Sequence, residues 1–136
     1  MENLLSYKNK WFVVHHKTLL YENPNLIGFR DRNEWELISK GDLIVYYQTG
    51  YRRIKGFFEI KSKGINIDPD FGRRNFAKGE LQHQHELKLV YSFDFPFDQS
   101  MASNLTFYSR LRNPIRWDNK RVFPITDNDV SYILSL

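Results

Sequence analysis

The stretch KGDLIVYYQTGYRRIKGFFEIKSKG, Lys40 to Gly64, decides the fold. Gly41-Asp42 is a turn signal. Leu43 to Tyr47 then forms an unbroken run of branched and aromatic side chains, the pattern of a strand covered on both faces. Gln48 to Arg53 is a short polar loop containing Gly50, and Ile54 to Lys61 resumes the apolar pattern, so two strands meet across a loop of hairpin length. Gly56 stands inside the second strand, where a glycine marks a bulge or a point at which a ligand or another backbone comes close.

Outward from this hairpin, Trp11 to His16 reads as a first strand, with the polar Lys17 and Thr18 beyond its end. Asn23-Pro24-Asn25 is a turn, and Gly28 breaks the chain before Phe29. A short helix is expected over Asn33 to Lys40, with Asn33 as cap, Glu36 in capping-box spacing, Trp35 in the first turn and Gly41 as the stop. On the other side, Gly64 to Gly79 is too irregular for a regular element and reads as a long loop. His85 to Phe95 alternates Leu87, Leu89, Tyr91, Phe93 and Phe95 with other residues, which predicts a long strand with those five facing inward. A helix is expected from Asp98 to Leu111 and a last strand from Arg116 to Ile125. Thr126 and Asp129 then form a capping box for a terminal helix bearing Val130, Ile133 and Leu134. The order predicts a single α+β domain over 1–136, with a curved, mostly antiparallel sheet closing into a small β-barrel flanked by short helices.

The chain has 136 residues, no cysteine and a formal charge of +4. Disulfides, thiolate nucleophiles and thiolate metal sites are therefore excluded, and no apolar run reaches the length of a membrane span, so a cytoplasmic protein with no membrane partner is expected. The cations are clustered: Arg52-Arg53, Arg73-Arg74, and the series Arg110, Arg112, Arg116, Lys120 and Arg121. Three arginine-rich segments interleaved with aromatics suit contact with a phosphate backbone, although a solvated face would explain each cluster taken alone. His15-His16 and His83-x-His85 lack an evident third ligand, so they read as strand-end histidines and no metal or other cofactor is expected. Nothing in the spacing brings two of the carboxylates Glu59, Glu80 and Glu86 together for acid–base work.

Several segments, in order, resemble the PUA-like superfamily and in particular its EVE and YTH domains. Gly41-Asp42-Leu43 followed by Ile54 to Ile60 resembles their central sheet, and Phe12 to Lys17 their first strand and its exit. Arg32-Asn33-Glu34-Trp35 resembles the YTH segment that carries a cage tryptophan, and Arg121 to Thr126 the EVE closing strand and helix start. The resemblance implies a non-enzymatic reader of RNA or modified DNA that takes a modified nucleobase into an aromatic pocket. It implies Trp35 as the stacking wall, Phe76 near a second cage position, Asn33 in the pocket, and His16, Lys17 and Thr18 as hydrogen-bonding partners of the base edge. The arginine clusters would hold the backbone, and a downstream effector protein stays open as a further partner. Two other functions are compatible with the sequence: an enzyme of the related ASCH-like barrel acting on a modified nucleoside or RNA, and a protein-interaction module.

Overall fold

The structure is a computed structural model that describes residues 3–107 and 121–136. The expected hairpin is its centre. Strand β3 (Leu43–Gln48) is buried along its whole length and pairs antiparallel with β4 (Arg53–Ile65). Positive φ angles at Gly50 and Arg52 turn the chain between them. Gly56 is a bulge and a close approach at once: its φ is +111°, the β3–β4 register slips opposite it, and a Cβ there would stand 2.9 Å from the Tyr91 carbonyl oxygen. Gly56→Ala is therefore expected to destabilise the protein by about 1–3 kcal/mol, because an L side chain must adopt a left-handed conformation against a backbone atom. A lower urea midpoint with an unchanged slope is the expected reading; an unchanged midpoint would refute it.

Strand β1 (Lys10–His15) lies parallel to β3 and antiparallel to β7 (Val122–Pro124). On the far side of β4, β5 (His83–Tyr91) is antiparallel to it and to β2 (Leu26–Phe29). The path β2-β5-β4-β3-β1-β7 curls into a half-barrel, and β6 (Phe95–Pro96) pairs with the start of β4. Every recorded pairing except β1–β3 is antiparallel.

Successive side chains of a strand point to opposite faces, and here the faces feed two clusters. Phe12, Val14, Val45, Tyr47 and Phe57 join Phe97, Phe123, Val130 and Ile133; Val13, Ile44, Tyr46 and Phe58 join Ile27, Trp35, Ile38 and Leu87. This double covering is why β3 reads as a continuous apolar run. Among the described residues there are four short α-helices: α1 (Leu19–Glu22), α2 (Arg32–Leu37), α3 (Gln99–Ala102) and α4 (Asp127–Leu134). The capping box of α4 is present, with Thr126 and Asp129 satisfying each other's backbone N–H.

The structure differs from the sequence expectations where long-range pairing overrides local pattern. Helix α2 is capped by Asp31, whose carboxylate accepts from the Asn33 N–H at 2.8 Å, and it ends at Leu37 because Ile38 turns extended into the core. Strand β4 runs past Lys61 to Ile65, since β5 supplies partners as far as His83. Strand β5 ends at Tyr91, and register slips beside Phe58 and Ser62 leave Leu89 53% exposed instead of inward. Gly28, expected as a break, lies inside β2. The expected helix from Asp98 shortens to α3 within the described residues, and the strand expected from Arg116 begins, as described, at Val122. Tyr108 to Leu111 and Arg116 to Lys120 lie outside the described residues.

The sheet's two outer strands, β2 and β7, are joined by a side chain and not by a ladder. The Glu34 carboxylate, on the helix that follows β2, accepts from the backbone N–H groups of Arg121 and Val122 at the start of β7. The Arg121 carbonyl in turn accepts from Val14 of β1 at 2.8 Å.

Candidate functional site

This seam holds a cavity of about 340 Å³. Its lining comes from the end of β1 (His15, His16), from β2 and the turn after it (Gly28 to Asp31), from Glu34 of α2, from Thr49 beyond β3, and from Phe76, Leu81 and Arg121. Gly28 is where β2 meets the loop: a Cβ there would stand 3.0 Å from the Phe71 ring and 3.1 Å from Leu81.

His15 is sealed against titration. Its Nδ1 lies 2.5 Å from the Tyr46 hydroxyl and its Nε2 3.2 Å from the Gly28 carbonyl oxygen. The Gly28 N–H also faces Nε2, at 3.3 Å, so Tyr46 and the Gly28 backbone engage both ring nitrogens. Burial lowers the His15 pKa to about 3, and burial likewise raises that of Tyr46 well above its ordinary value.

His16, its neighbour, is half-buried. The Thr18 hydroxyl, 3.0 Å away, and the Thr18 backbone N–H at 3.3 Å both face His16 Nδ1, while Thr18 Oγ1 itself accepts from the Asn75 amide at 2.8 Å. This relay leaves Nε2–H of His16 without a partner among the described residues. Desolvation first, then the charge of Lys17, lowers the His16 pKa and favours this neutral form. The His16 ring meets Phe76 edge-on, with centroids 5.2 Å apart. The Arg30 guanidinium lies 4.9 Å from the Phe76 ring centre while its Nε pairs with Glu80 at 3.1 Å. Arg121 is exposed at the rim; desolvation of its guanidinium lowers its pKa, repulsion from Arg30 adds to this, and Glu34 opposes it.

Of the residues expected in a pocket, His16 and Phe76 line this cavity, and so does Arg121 from the phosphate set. Thr18 supports His16 from behind, and Lys17 places its ammonium 5.6 Å from the Tyr51 ring centre. Asn33 is exposed on α2 and does not line the cavity. Trp35 corrects the sequence reading most sharply. It is 9% exposed, its Nε1–H donates to the Gln84 carbonyl at 2.9 Å, and Lys63 covers its ring at 4.6 Å. It is a core residue because α2 turns that face onto β5, where His83 and His85 pack against the indole. Arg52 stands in the loop opened by Thr49, Arg53 pairs with Asp94 at 2.6 Å, and Arg73 and Arg74 lie three and two residues before Phe76. Arg110, Arg112, Arg116 and Lys120 fall outside the described residues. The sequence reading missed His15, Leu19, Gly28, Phe29, Arg30, Asp31, Glu34, Thr49 and Leu81 as lining residues. The one available signal was Gly28, since a glycine in a strand marks a close approach.

No protein-family model and no curated protein sequence matches the chain. Solved structures do. The YTH domain of the Zygosaccharomyces rouxii MRB1 protein, in complex with N6-methyladenosine RNA, superposes with a TM-score of 0.65 at 10% identity, over 99% of this chain and 90% of that one. Human THYN1 in complex with 5-methylcytosine-containing DNA gives 0.57 at 13% identity, over 94% and 96%. The YTH-domain protein mmi1, in an RNA complex, gives 0.60 at 9% identity, over 99% and 85%. At these identities the likeness is one of fold, and it agrees with the α+β PUA-like architecture expected from the sequence.

Proposed function

We propose that this chain, which has the YTH- and EVE-like PUA fold, is a non-enzymatic nucleic-acid reader that takes a modified nucleobase into the cavity between β2 and β7. The carrying observation is the composition of that cavity: an aromatic wall at Phe76, a neutral imidazole donor at His16, and cations at Arg30 and Arg121, in a volume of about 340 Å³. A flat ring stacked on Phe76 takes the place that the Arg30 guanidinium now holds, or is held between the two. His16 Nε2–H then donates to an acceptor on the base edge, and Asp31 offers a carboxylate to an exocyclic amine. Displaced toward the rim, Arg30 joins Arg121 in meeting phosphate. That two solved proteins of this fold are bound to nucleic acids carrying methylated bases supports the reading.

A reader is favoured over a catalyst because solved structures of this fold hold RNA or DNA. Stacking on one aromatic wall is worth roughly 1–3 kcal/mol, so Phe76→Ala is expected to weaken binding of a methylated single-stranded oligonucleotide at least about fivefold. Titration calorimetry at low salt with N6-methyladenosine RNA and 5-methylcytosine DNA measures this. Equal binding by Phe76→Ala and the parent, or binding by neither, defeats the proposal.

A further inference from the structure

Two tyrosines near the cavity's rim have no role in it. Tyr21, on α1, is 64% exposed, and Tyr51, in the loop between β3 and β4, is 46% exposed. They meet edge to face with centroids 6.3 Å apart, and the Lys17 ammonium sits 5.6 Å from the Tyr51 centroid. The loop is shaped for this contact. Gly50 has a φ of +83°, and a Cβ on it would stand 2.8 Å from Cδ of Lys17. Tyr51, held in the open by this glycine turn, and Tyr21, exposed on α1, leave apolar ring area in water, a cost that a ligand would remove.

The pair is joined to the cavity at both roots. Thr49, which lines the cavity, directly precedes Gly50, and Thr18, bonded to His16, directly precedes α1. Tyr21 and Thr18 also border a second, open hollow of about 770 Å³ with Arg73, Arg74 and Asn75, the last of which precedes Phe76. The carboxylates beside this hollow are engaged: Asp70 with Arg73 at 3.2 Å, Glu22 with the Gly72 N–H at 3.0 Å, and Asp68 with the Asn23 amide and the Asp70 N–H. Lys17, Arg52 and Arg74 are in no ion pair among the described residues, so the rim presents aromatic faces and these three cations beside the carboxylates of Glu22 and Asp68.

We infer that Tyr21 and Tyr51, with Lys17, form a second stacking site, for the base that neighbours the cavity's base in a single strand. The inference rests on the cavity reading above and extends it from one nucleotide to at least two. Aromatic faces flanked by unpaired cations suit a single strand, because bases offer π-faces and the backbone offers charge along the same track. A paired duplex keeps the neighbouring base stacked within its own helix and denies it to the tyrosines.

The test compares ligands of different length on the full chain. The probes are N6-methyladenosine 5′-monophosphate, an RNA trinucleotide with that base in the centre, the same trinucleotide with an abasic flank on each side, and the matching 5-methylcytosine DNA series. The intact trinucleotide is expected to bind at least about tenfold more tightly than its abasic counterpart. The double variant Tyr21→Ala/Tyr51→Ala should lose that difference while binding the monophosphate as the parent does, and Tyr21→Phe/Tyr51→Phe should keep it. Both tyrosines are exposed, so an unchanged melting temperature is expected and checks the fold. Flank-independent binding, or a double alanine variant that still prefers the intact trinucleotide, overturns the inference while leaving the cavity reading standing if Phe76→Ala weakens every probe. If no probe binds the parent, both fall together.

Discussion

Glu34→Ala is expected to destabilise the fold by about 3 kcal/mol and to lower the melting temperature by roughly 10 °C. The Glu34 carboxylate is the buried acceptor for two backbone N–H groups, those of Arg121 and Val122, and it links the helix after one outer strand to the start of the other. Truncation removes the acceptor that both donors share, and losing such a partner costs a partly buried donor about 1–3 kcal/mol. It also removes the charge that opposes the desolvation of Arg121. Glu34→Gln keeps an acceptor oxygen and should lose markedly less. Thermal and urea unfolding of the three proteins measures this. If alanine and glutamine variants are equally stable, or alanine matches the parent, the seam is not held by this side chain. The alanine variant is also expected to lose ligand binding, since the seam it opens is the cavity wall.

Acid should unfold the protein from an unusually high starting pH. His15 and His85 have folded pKa values lowered to about 3 and about 4 from 6.5, chiefly by burial. In the unfolded chain both regain the ordinary value, so below pH 6.5 the unfolded state binds protons that the native state refuses. The stability contributed by keeping these rings neutral is complete above about pH 6.5. It declines as pH falls, by up to about 1.4 kcal/mol per pH unit for each histidine, until the folded pKa values are reached. His16, lowered mainly by desolvation, acts in the same direction. Asp94, whose pKa Lys55 and Arg53 lower from 3.8, changes stability only near and below that value, outside a comparison of pH 7 with pH 5. Urea midpoints at pH 7 and pH 5 should therefore differ strongly. His15→Gln removes one titrating group; it should begin less stable at pH 7, because Tyr46 and Gly28 lose their partner, and then change less between the two pH values. A parent protein equally stable at pH 7 and pH 5 would contradict this account, as would a glutamine variant with the parent's pH dependence.

The two adjacent histidines illustrate how far sequence reading reaches. Alternation along a strand would turn His15 and His16 to opposite faces, yet β1 ends at His15 and both residues line the cavity. Alternation does not say which side holds the Tyr46 hydroxyl and which the Phe76 ring, because those partners stand 31 and 60 positions further along the chain. Trp35 fails for the same reason. Its place in the first turn of a helix is legible, but the contact that decides its role is with the Gln84 carbonyl, 49 residues away.

What the amino-acid order determined by itself is what neighbours along the chain decide. The apolar run of β3, the turn at Gly50, the bulge at Gly56 and the Thr126–Asp129 box are each written within a few residues, and each is found. Segment order was enough to indicate an α+β sheet of PUA-like shape. Only the tertiary structure decided where a ligand has room. The cavity is assembled from five separated stretches and exists because two sheet edges stop short of pairing and are bridged by one carboxylate. A void of that kind depends on where packing ends, and packing ends are fixed by the whole set of distant contacts at once.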